Sequence, residues 1–166
     1  MDIDVEFMRV ALAEAREALT AGEVPVGALL VMGGEVVSRA HNSPIALTDP
    51  SAHAEILAIR EASARKGNYR LTGATLYVTL EPCLMCVGAI IHARIERLVF
   101  GASDPKGGAV VSLYQVGCDR RLNHIFQVRG GVLEADSAGL LKDFFRGKRD
   151  LSSSNISDCG GVPKRP

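Results

Sequence analysis

The chain of 166 residues has the length of one compact domain. Its 47% of hydrophobic and 23% of charged residues exclude a disordered chain. Basic and acidic residues number 19 each, so the strong basic excess of a dedicated nucleic-acid-binding protein is absent and any such surface must be local.

The sequence also indicates a cellular compartment. No run approaches the roughly 18 apolar residues that a membrane helix needs. The N-terminus is acidic and lacks a signal-peptide pattern, so we expect a cytoplasmic protein. Because that compartment is reducing, we expect no disulfides among the four cysteines, Cys83, Cys86, Cys118 and Cys159.

The first part of the chain predicts a helix and a hairpin. Apolar residues between positions 7 and 19 recur at helical spacing, with charged residues on the other face. Two β-prone runs, 26–32 and 35–40, are joined by Gly33-Gly34. A glycine pair between two such runs is typical of a tight antiparallel hairpin.

The middle of the chain predicts alternating helices and strands. Asp49-Pro50 resembles a helix start with Asp as the N-cap, so we predict a helix over 49–66. Residues 75–79 predict a short central strand. An apolar helix follows over 82–94, and 97–101 predict another strand.

The last part of the chain is less regular. Residues 102–122 predict irregular structure, and 125–133 a strand broken by Gly130-Gly131. Leucines and phenylalanines between 140 and 145 mark a last helix that ends in basic residues. We place the domain at 1–150 and expect 151–166, rich in Ser, Gly and Pro, to be a disordered tail.

Two short motifs together predict a zinc site. They are His53-Ala54-Glu55 and Pro82-Cys83-Leu84-Met85-Cys86. One imidazole and two thiolates suit zinc, and three protein ligands leave one position open for water, as in catalytic sites. Two cysteines three residues apart lie on one helix face, near N–H groups that favour thiolates.

Glu55 has a different predicted role from His53. The two would diverge by about 200° on a regular helix, so we expect His53 to ligate the ion and Glu55 to reach a neighbouring water. Zinc lowers the pKa of a bound water to roughly 7, and Glu55 can then take that proton and return it to the substrate.

Other interpretations of the cysteine pair remain open. A C-x-x-C alone also fits a redox pair or a structural zinc site. Structural sites usually have a fourth protein ligand, and His41, His92 and His124 are candidates, but none lies in a second metal-like pair. The combination of H-x-E with P-C-x-x-C is the signature of zinc nucleobase deaminases and favours a catalytic site.

Beyond this signature, the chain resembles the bacterial tRNA-specific adenosine deaminases over roughly residues 5–149. The segments that carry the resemblance are Glu23-Val24-Pro25-Val26-Gly27-Ala28, Asn42, His53-Ala54-Glu55, Asn68-Tyr69-Arg70-Leu71, Thr79-Leu80-Glu81-Pro82-Cys83, Asp104-Pro105-Lys106 and residues 140–146. The resemblance implies a three-layer α/β/α cytidine-deaminase-like fold with a mixed central sheet of about five strands. It also implies a homodimer that converts adenosine to inosine at the wobble position of a tRNA anticodon stem-loop.

The resemblance assigns roles to individual residues. It implies that His53, Cys83 and Cys86 hold one Zn²⁺ per subunit and that Glu55 shuttles the proton between water, N1 of adenine and the leaving ammonia. Further residues of the substrate site and of the RNA surface follow from the same likeness. Asn42, Ala54 and Asp104 would contact the base or its backbone, and Lys106, Phe145, Arg146 and Arg149 are candidate RNA contacts.

Simpler interpretations of these residues also stand. Asn42 could be a turn residue before Pro44, and Asp104 a turn or cap residue. Ala54 could be a helix residue with no further role. The two phenylalanines of the last helix are more typical of a core, and its basic residues suit the negative end of a helix.

Two rival functions remain at this stage. Deaminases of free guanine, cytosine or deoxycytidylate on the same scaffold share both motifs, so the metal site alone does not separate them. The flanking segments and Phe144-Phe145-Arg146 favour tRNA. A non-catalytic binding module stabilised by zinc is the other class, and Glu55 argues against it, because a structural site needs no carboxylate beside an open zinc position.

Overall fold

A five-stranded mixed sheet forms the centre of the computed structural model, which describes residues 1–153. The elements in chain order are α1 (Ile3–Thr20), β1 (Gly27–Met32), β2 (Glu35–His41), α2 (Pro44–Leu47), α3 (Ala54–Lys66), β3 (Thr75–Leu80), α4 (Leu84–His92), β4 (Arg97–Ala102), a 3₁₀ turn (Val116–Cys118), β5 (Gln127–Arg129) and α5 (Glu134–Ser153). The strand order is β2-β1-β3-β4-β5. Pairs β1–β2 and β1–β3 are antiparallel, and β3–β4 and β4–β5 are parallel, which confirms the predicted mixed sheet.

The two faces of the sheet carry separate apolar layers. Leu76 and Val78 of β3 belong to the larger core, which includes residues of α3 and α4. Tyr77 lies between them in sequence and belongs to the smaller core with Met8 of α1. Successive side chains of a strand point to opposite faces, so this alternation produces the three predicted layers.

The predicted hairpin is confirmed. Gly33 and Gly34 join β1 to β2 with φ of +59° and +82°. Two consecutive left-handed residues match the twist of a two-residue hairpin, and glycine adopts them without steric cost. A second close approach involves Gly27, where a Cβ would lie 2.0 Å from the carbonyl oxygen of Ala11, so glycine lets α1 pack directly on β1.

A buried carboxylate joins the two ends of the domain. Asp4 in α1 is 2% exposed and accepts two hydrogen bonds from Arg97 of β4, at 2.7 and 2.6 Å. The hydroxyl of Tyr77 donates to it at 2.8 Å, and Arg129 of β5 donates from the far edge of the sheet. A buried charge needs such partners, so Asp4 fixes α1 against three strands.

Two predicted element bounds are wrong. The helix expected over 49–66 begins at Ala54, because the Asp49 carboxylate accepts the N–H and the hydroxyl of Ser51, at 2.8 and 2.7 Å, and closes a turn instead of capping a helix. The strand expected over 125–133 is limited to 127–129, and Gly131 and Leu133 have positive φ beyond it.

The end of the chain bears on the predicted tail. Helix α5 continues to Ser153, three residues past the expected domain boundary at 150. The remainder of the expected tail, 154–166, lies outside the described residues. Within the residues that the structure describes, no helix is long and apolar enough to cross a membrane.

Candidate metal centre and its pocket

The three predicted metal ligands lie at the starts of two helices. His53 is the N-cap of α3 and Cys83 is the N-cap of α4, both with extended backbone, and Cys86 is the third residue of α4. The side chain of Asn42 helps to set the first position, since its Oδ1 accepts the N–H of Ala54 at 2.8 Å. Helix starts present unpaired N–H groups, which favour the negative charge of thiolates.

The ligand atoms have a spacing that fits zinc. Nδ1 of His53 lies 3.6 Å from Sγ of Cys83 and 3.6 Å from Sγ of Cys86. Tetrahedral coordination with Zn–S of about 2.3 Å and Zn–N of about 2.0 Å separates sulfur from nitrogen by about 3.5 Å. Among the described residues, this is the one cluster of three His, Cys, Asp or Glu side chains able to share an ion.

The pKa values of the two cysteines show which thiol of the cluster is ionised. The pKa of Cys83 is lowered to about 3, first by a hydrogen bond from the Cys86 thiol and then, against burial, by the facing His53. The pKa of Cys86 is raised above its usual range because that thiol is the donor and is buried. The hydrogen bond with Cys83 raises the pKa of His53. The cluster thus stabilises a thiolate, the form that binds metal.

Glu55 is separate from the ligand set but belongs to the same pocket. It is the second residue of α3 and only 4% exposed. Burial disfavours its charged form and raises the pKa of the carboxyl to about 7. A group that is half-protonated near neutral pH can both accept and return a proton, which suits general acid–base catalysis.

His53, Cys83 and Glu55 line a pocket of about 1150 Å³, and the buried Cys86 lies behind its wall. Three parts of the chain line it: the residues around the metal cluster, the segment 103–106, and one face of α5. Its lining therefore combines chemical groups from helix starts with a loop and a helix that come after β4. A pocket of this size accommodates a nucleobase together with its sugar and phosphate.

The structure brings Asn42 into this pocket. Asn42 is 8% exposed and lines the pocket beside His53 and Glu55. Its oxygen is taken by Ala54, and its amide nitrogen makes no hydrogen bond within 1–153. Ala54 itself is fully buried, does not line the pocket, and has its N–H occupied by Asn42. The side chain of Asn42 is therefore a tertiary contact and more than a turn residue.

Asp104 and Lys106 also line the pocket. The carboxylate of Asp104 accepts the N–H groups of Lys106 and Gly107 at 3.0 and 3.2 Å. This is the turn geometry that the simpler interpretation of Asp104 describes. Asp104 thus shapes its own segment while standing in the pocket wall.

The remaining candidate RNA contacts lie on helix α5, and only some of them line the pocket. Phe145 is 48% exposed and lines the pocket with Arg149, so a core position for Phe145 is wrong. Phe144 is half-buried, packs edge-on against Phe145 and carries Lys148 over its ring at 5.2 Å. Arg146 does not line the pocket and lies 3.7 Å from Asp143.

Sequence reasoning missed a buried acid next to the metal centre. Glu81 lies between β3 and Cys83, is 2% exposed and lines the pocket. Burial by itself would raise its pKa, but hydrogen bonds from Ser112, Val111 and Asp104 outweigh this effect and lower it. The available signal was its place at the end of an apolar strand, directly before Pro-Cys. Lys142 of the pocket face was also missed.

Comparisons with known proteins agree with this geometry. Residues 1–102 match the family of the cytidine and deoxycytidylate deaminase zinc-binding region. The chain is 47% identical over 161 residues to the tRNA-specific adenosine deaminase of Bacillus subtilis, covering 95% of this chain and 100% of that protein.

Solved structures give the same result. A structure from a study of A-to-I editing by tRNA:A34 deaminases at the wobble position superposes with a TM-score of 0.80 and 50% identity, over 82% of this chain and 99% of the other. Guanine deaminase from Bacillus subtilis superposes with a TM-score of 0.58 and 38% identity, over 59% of this chain and 63% of the other.

Proposed function

We propose, because the chain belongs to the cytidine and deoxycytidylate deaminase family, that it hydrolyses adenosine to inosine at the wobble position of a tRNA anticodon. The relative that matches 95% of this chain at 47% identity and the tRNA:A34 deaminase structure support this substrate. The observation that carries the proposal is a single pocket lined by Glu55 and by His53 and Cys83 of the metal cluster together with Phe145 and Arg149. The groups that would deaminate the base and those that would contact RNA thus line the same pocket.

The residues present fit zinc, and His53, Cys83 and Cys86 would hold it. When bound there, Zn²⁺ supplies a Lewis acid that lowers the pKa of a water molecule. Glu55 accepts a proton from this water through its carboxylate and delivers it to N1 of adenine. As the water oxygen bonds to C6, Glu55 transfers the second proton of the same water to the C6 amine. The C6–N bond then breaks and ammonia leaves, so one water is added and one ammonia is lost.

The base would be held beside Glu55 by Asn42. The amide nitrogen of Asn42 is a donor without a partner within 1–153, and its position is fixed because the N–H of Ala54 donates a hydrogen bond to Oδ1 of the same side chain. We propose that it donates to a ring nitrogen of the purine. Burial of Asn42 excludes water from this hydrogen bond and strengthens it.

The nucleotide would be held by the other pocket walls. Lys106, Lys148 and Arg149 offer positive charge for phosphates, and Phe145 offers a ring for stacking. The wobble base is already unpaired, so only stacking, a few kcal/mol, is lost when it enters the pocket. Local basic residues on α5 therefore suffice although the chain has no net charge.

We further propose a homodimer. Large apolar side chains are exposed close to the metal centre in sequence, and a partner subunit would cover them. They are Ile45 and Leu47 on α2, Leu84 and Met85 on α4, and Val111, Leu113 and Tyr114 in the loop after β4. A tRNA substrate also agrees with the cytoplasmic location that the sequence predicts.

Inosine formation tests the proposed function. Zinc-loaded protein is incubated with an anticodon stem-loop that carries wobble adenosine and, in parallel, with free adenosine, guanine and cytosine. We expect inosine in the stem-loop alone. A stem-loop in which guanosine replaces the wobble adenosine serves as the negative control.

A second candidate is deamination of free guanine, favoured by the 38% identity to a guanine deaminase structure. Turnover of guanine with none of the stem-loop would select it and overturn the tRNA proposal. The exposed Phe145 argues for RNA, since a free base needs no aromatic side chain at a helix surface.

A further inference from the structure

Glu81 gathers a loop around its carboxylate. Oε1 accepts the N–H groups of Val110, Val111 and Ser112 at 3.1, 2.8 and 2.9 Å. Oε2 accepts the N–H of Asp104 at 3.0 Å and the hydroxyl of Ser112. Five hydrogen bonds thus converge on one side chain that is 2% exposed.

The pattern requires a carboxylate. Four of the five partners are backbone N–H groups, which cannot act as acceptors. An amide in place of Glu81 has one oxygen and would turn its NH₂ toward at least one of these donors. A buried donor without an acceptor costs more than the loss of one average hydrogen bond.

The loop is closely packed against this carboxylate. A Cβ at Gly108 would lie 2.5 Å from the carboxyl carbon and from Oε2 of Glu81, and 2.6 Å from the carbonyl oxygen of Asp104. The next residue, Ala109, donates its N–H to the carbonyl oxygen of Pro82 at 2.9 Å. Glycine therefore allows the loop to close over Glu81 and over the strand end that leads to Cys83.

We propose that Glu81 is a positioning residue for the substrate nucleotide. It holds the pocket segment Asp104–Lys106 at a fixed place relative to the metal ligand Cys83, two residues further along the chain. The segment forms part of the pocket wall. The hydrogen bond from the N–H of Asp104 to Glu81 connects it directly to the residues that precede Cys83. This inference rests on the proposed RNA deaminase function and adds the residue that aligns the wall with the chemistry.

The substitution Glu81→Gln separates positioning from metal binding. Its oxygen can serve the three N–H groups of 110–112, which leaves the N–H of Asp104 facing an NH₂ group. We expect faster hydrogen exchange at the amide of Asp104, by about 10-fold or more, which is the effect of losing a hydrogen bond to a charged group. The KM for the stem-loop should rise about 10-fold, with one zinc per subunit retained and a smaller change in kcat.

The experiment uses the zinc-loaded full chain and two further variants. Glu35→Gln makes the same chemical change at an exposed position of the hairpin, and we expect wild-type values. In Gly108→Ala the added methyl group clashes with the carboxylate of Glu81 and displaces it from the N–H of Asp104. This variant should therefore reproduce the rise in KM and the faster exchange at Asp104. Should Glu81→Gln fail to fold, Gly108→Ala decides by the same two measurements.

The possible outcomes are distinct. Unchanged KM and unchanged exchange at Asp104 in the folded variants overturn the inference. Loss of zinc with a fall in kcat at constant KM overturns it too, since Glu81 would then support the metal ligands instead of the wall. Wild-type protein without activity on the stem-loop refutes the proposed function, while hydrogen exchange still reports whether Glu81 holds Asp104.

Discussion

At the scale of single residues, the proposed chemistry depends on a carboxyl group that is buried beside the metal cluster, in the role of proton carrier and not of ligand. Glu55 gains this position because it follows His53, the N-cap, by two residues and thus lies inside the first turn of α3. The proposed ligand His53 and the proposed proton carrier Glu55 thus come from the same helix start. Each can therefore be changed without removing the other.

The variant Glu55→Gln should keep its zinc and its fold but lose at least about 100-fold in inosine formation, because an amide cannot shuttle a proton. Metal analysis and single-turnover kinetics on the stem-loop check this. Glu61→Gln, a change at a half-buried position of the same helix that weakens only the surface ion pair with Arg65, should match the wild type in zinc content and turnover. Zinc loss in Glu55→Gln would contradict its role as a non-ligand.

Asn42 should separate structure from substrate binding. Asn42→Asp keeps an oxygen for the N–H of Ala54 and removes the amide donor, so we expect a smaller loss of stability than for Asn42→Ala and a raised KM. Asn42→Ala leaves a buried N–H unpaired and should lower the free energy of unfolding by about 1–3 kcal/mol. Urea denaturation compares the two variants. Equal stability of the two would show that the Ala54 bond contributes nothing.

At the scale of elements, α5 provides one face of the pocket and another that lies away from it. Phe145 and Arg149 are four residues apart, so they lie on one side of the helix and line the pocket together. Arg146 does not line it and lies near Asp143. Two arginines that look equivalent in the sequence thus differ in position.

Arg149→Ala should weaken binding of the stem-loop most at low salt and reduce the slope of log K against log salt by about 0.7, the value for one phosphate contact with a single strand. Arg146→Ala is the matched control, for which we expect a smaller change. Titrations at several salt concentrations measure both. Equal losses in the two variants would mean that the RNA path extends beyond the pocket.

Local patterns in the sequence predicted most elements. The glycine pair of the hairpin, the apolar helix before β4 and the short strand at 75–79 each depend on neighbouring residues, and all were confirmed. The predicted start of α3 at Asp49 was wrong for two reasons. The true start depends on a hydrogen bond to Asn42, 12 residues before Ala54, and Asp49 forms a local turn instead of a helix cap. A contact between distant residues leaves no periodic pattern.

The candidate site shows the same limit. His53, Cys83 and Cys86 were found together because metal ligands have characteristic types and spacings. Glu81 was not, because its partners are backbone N–H groups that any sequence provides. For Phe145, hydrophobicity indicates burial, and only the packing of α5 shows that the ring stays exposed.

At the scale of the whole molecule, Asp4 and its two arginines hold the N-terminal helix to both late strands. Hydrogen bonds from Arg97 first, then Tyr77 and Arg129, outweigh burial and keep the pKa of Asp4 well below its ordinary value. Because the folded pKa is the lower one, the stabilisation is present above about pH 4, the unfolded value, and is lost as the pH falls further.

Asp4→Asn should therefore lower the free energy of unfolding by about 3 kcal/mol at pH 7, since it leaves two arginines without their buried partner. The deficit relative to the wild type should shrink as the pH falls below about 4. Urea denaturation over this range checks it, with Glu17→Gln on the exposed face of α1 as the control. A deficit that does not change with pH would show that the charge of Asp4 is not what stabilises the fold.

The order of the chain has a consequence for the effect of mutations. The segment that matches the deaminase family, residues 1–102, contains His53, Glu55 and both cysteines of the metal cluster, whereas Asp104–Lys106 and α5 come after it. The proposed proton carrier and the base-binding Asn42 therefore lie inside the family match, whereas the walls that would hold the neighbouring nucleotides come from the stretch after it. Mutations confined to residues 103–153 would thus change the contacts to the neighbouring nucleotides and leave the metal ligands, Glu55 and Asn42 as they are.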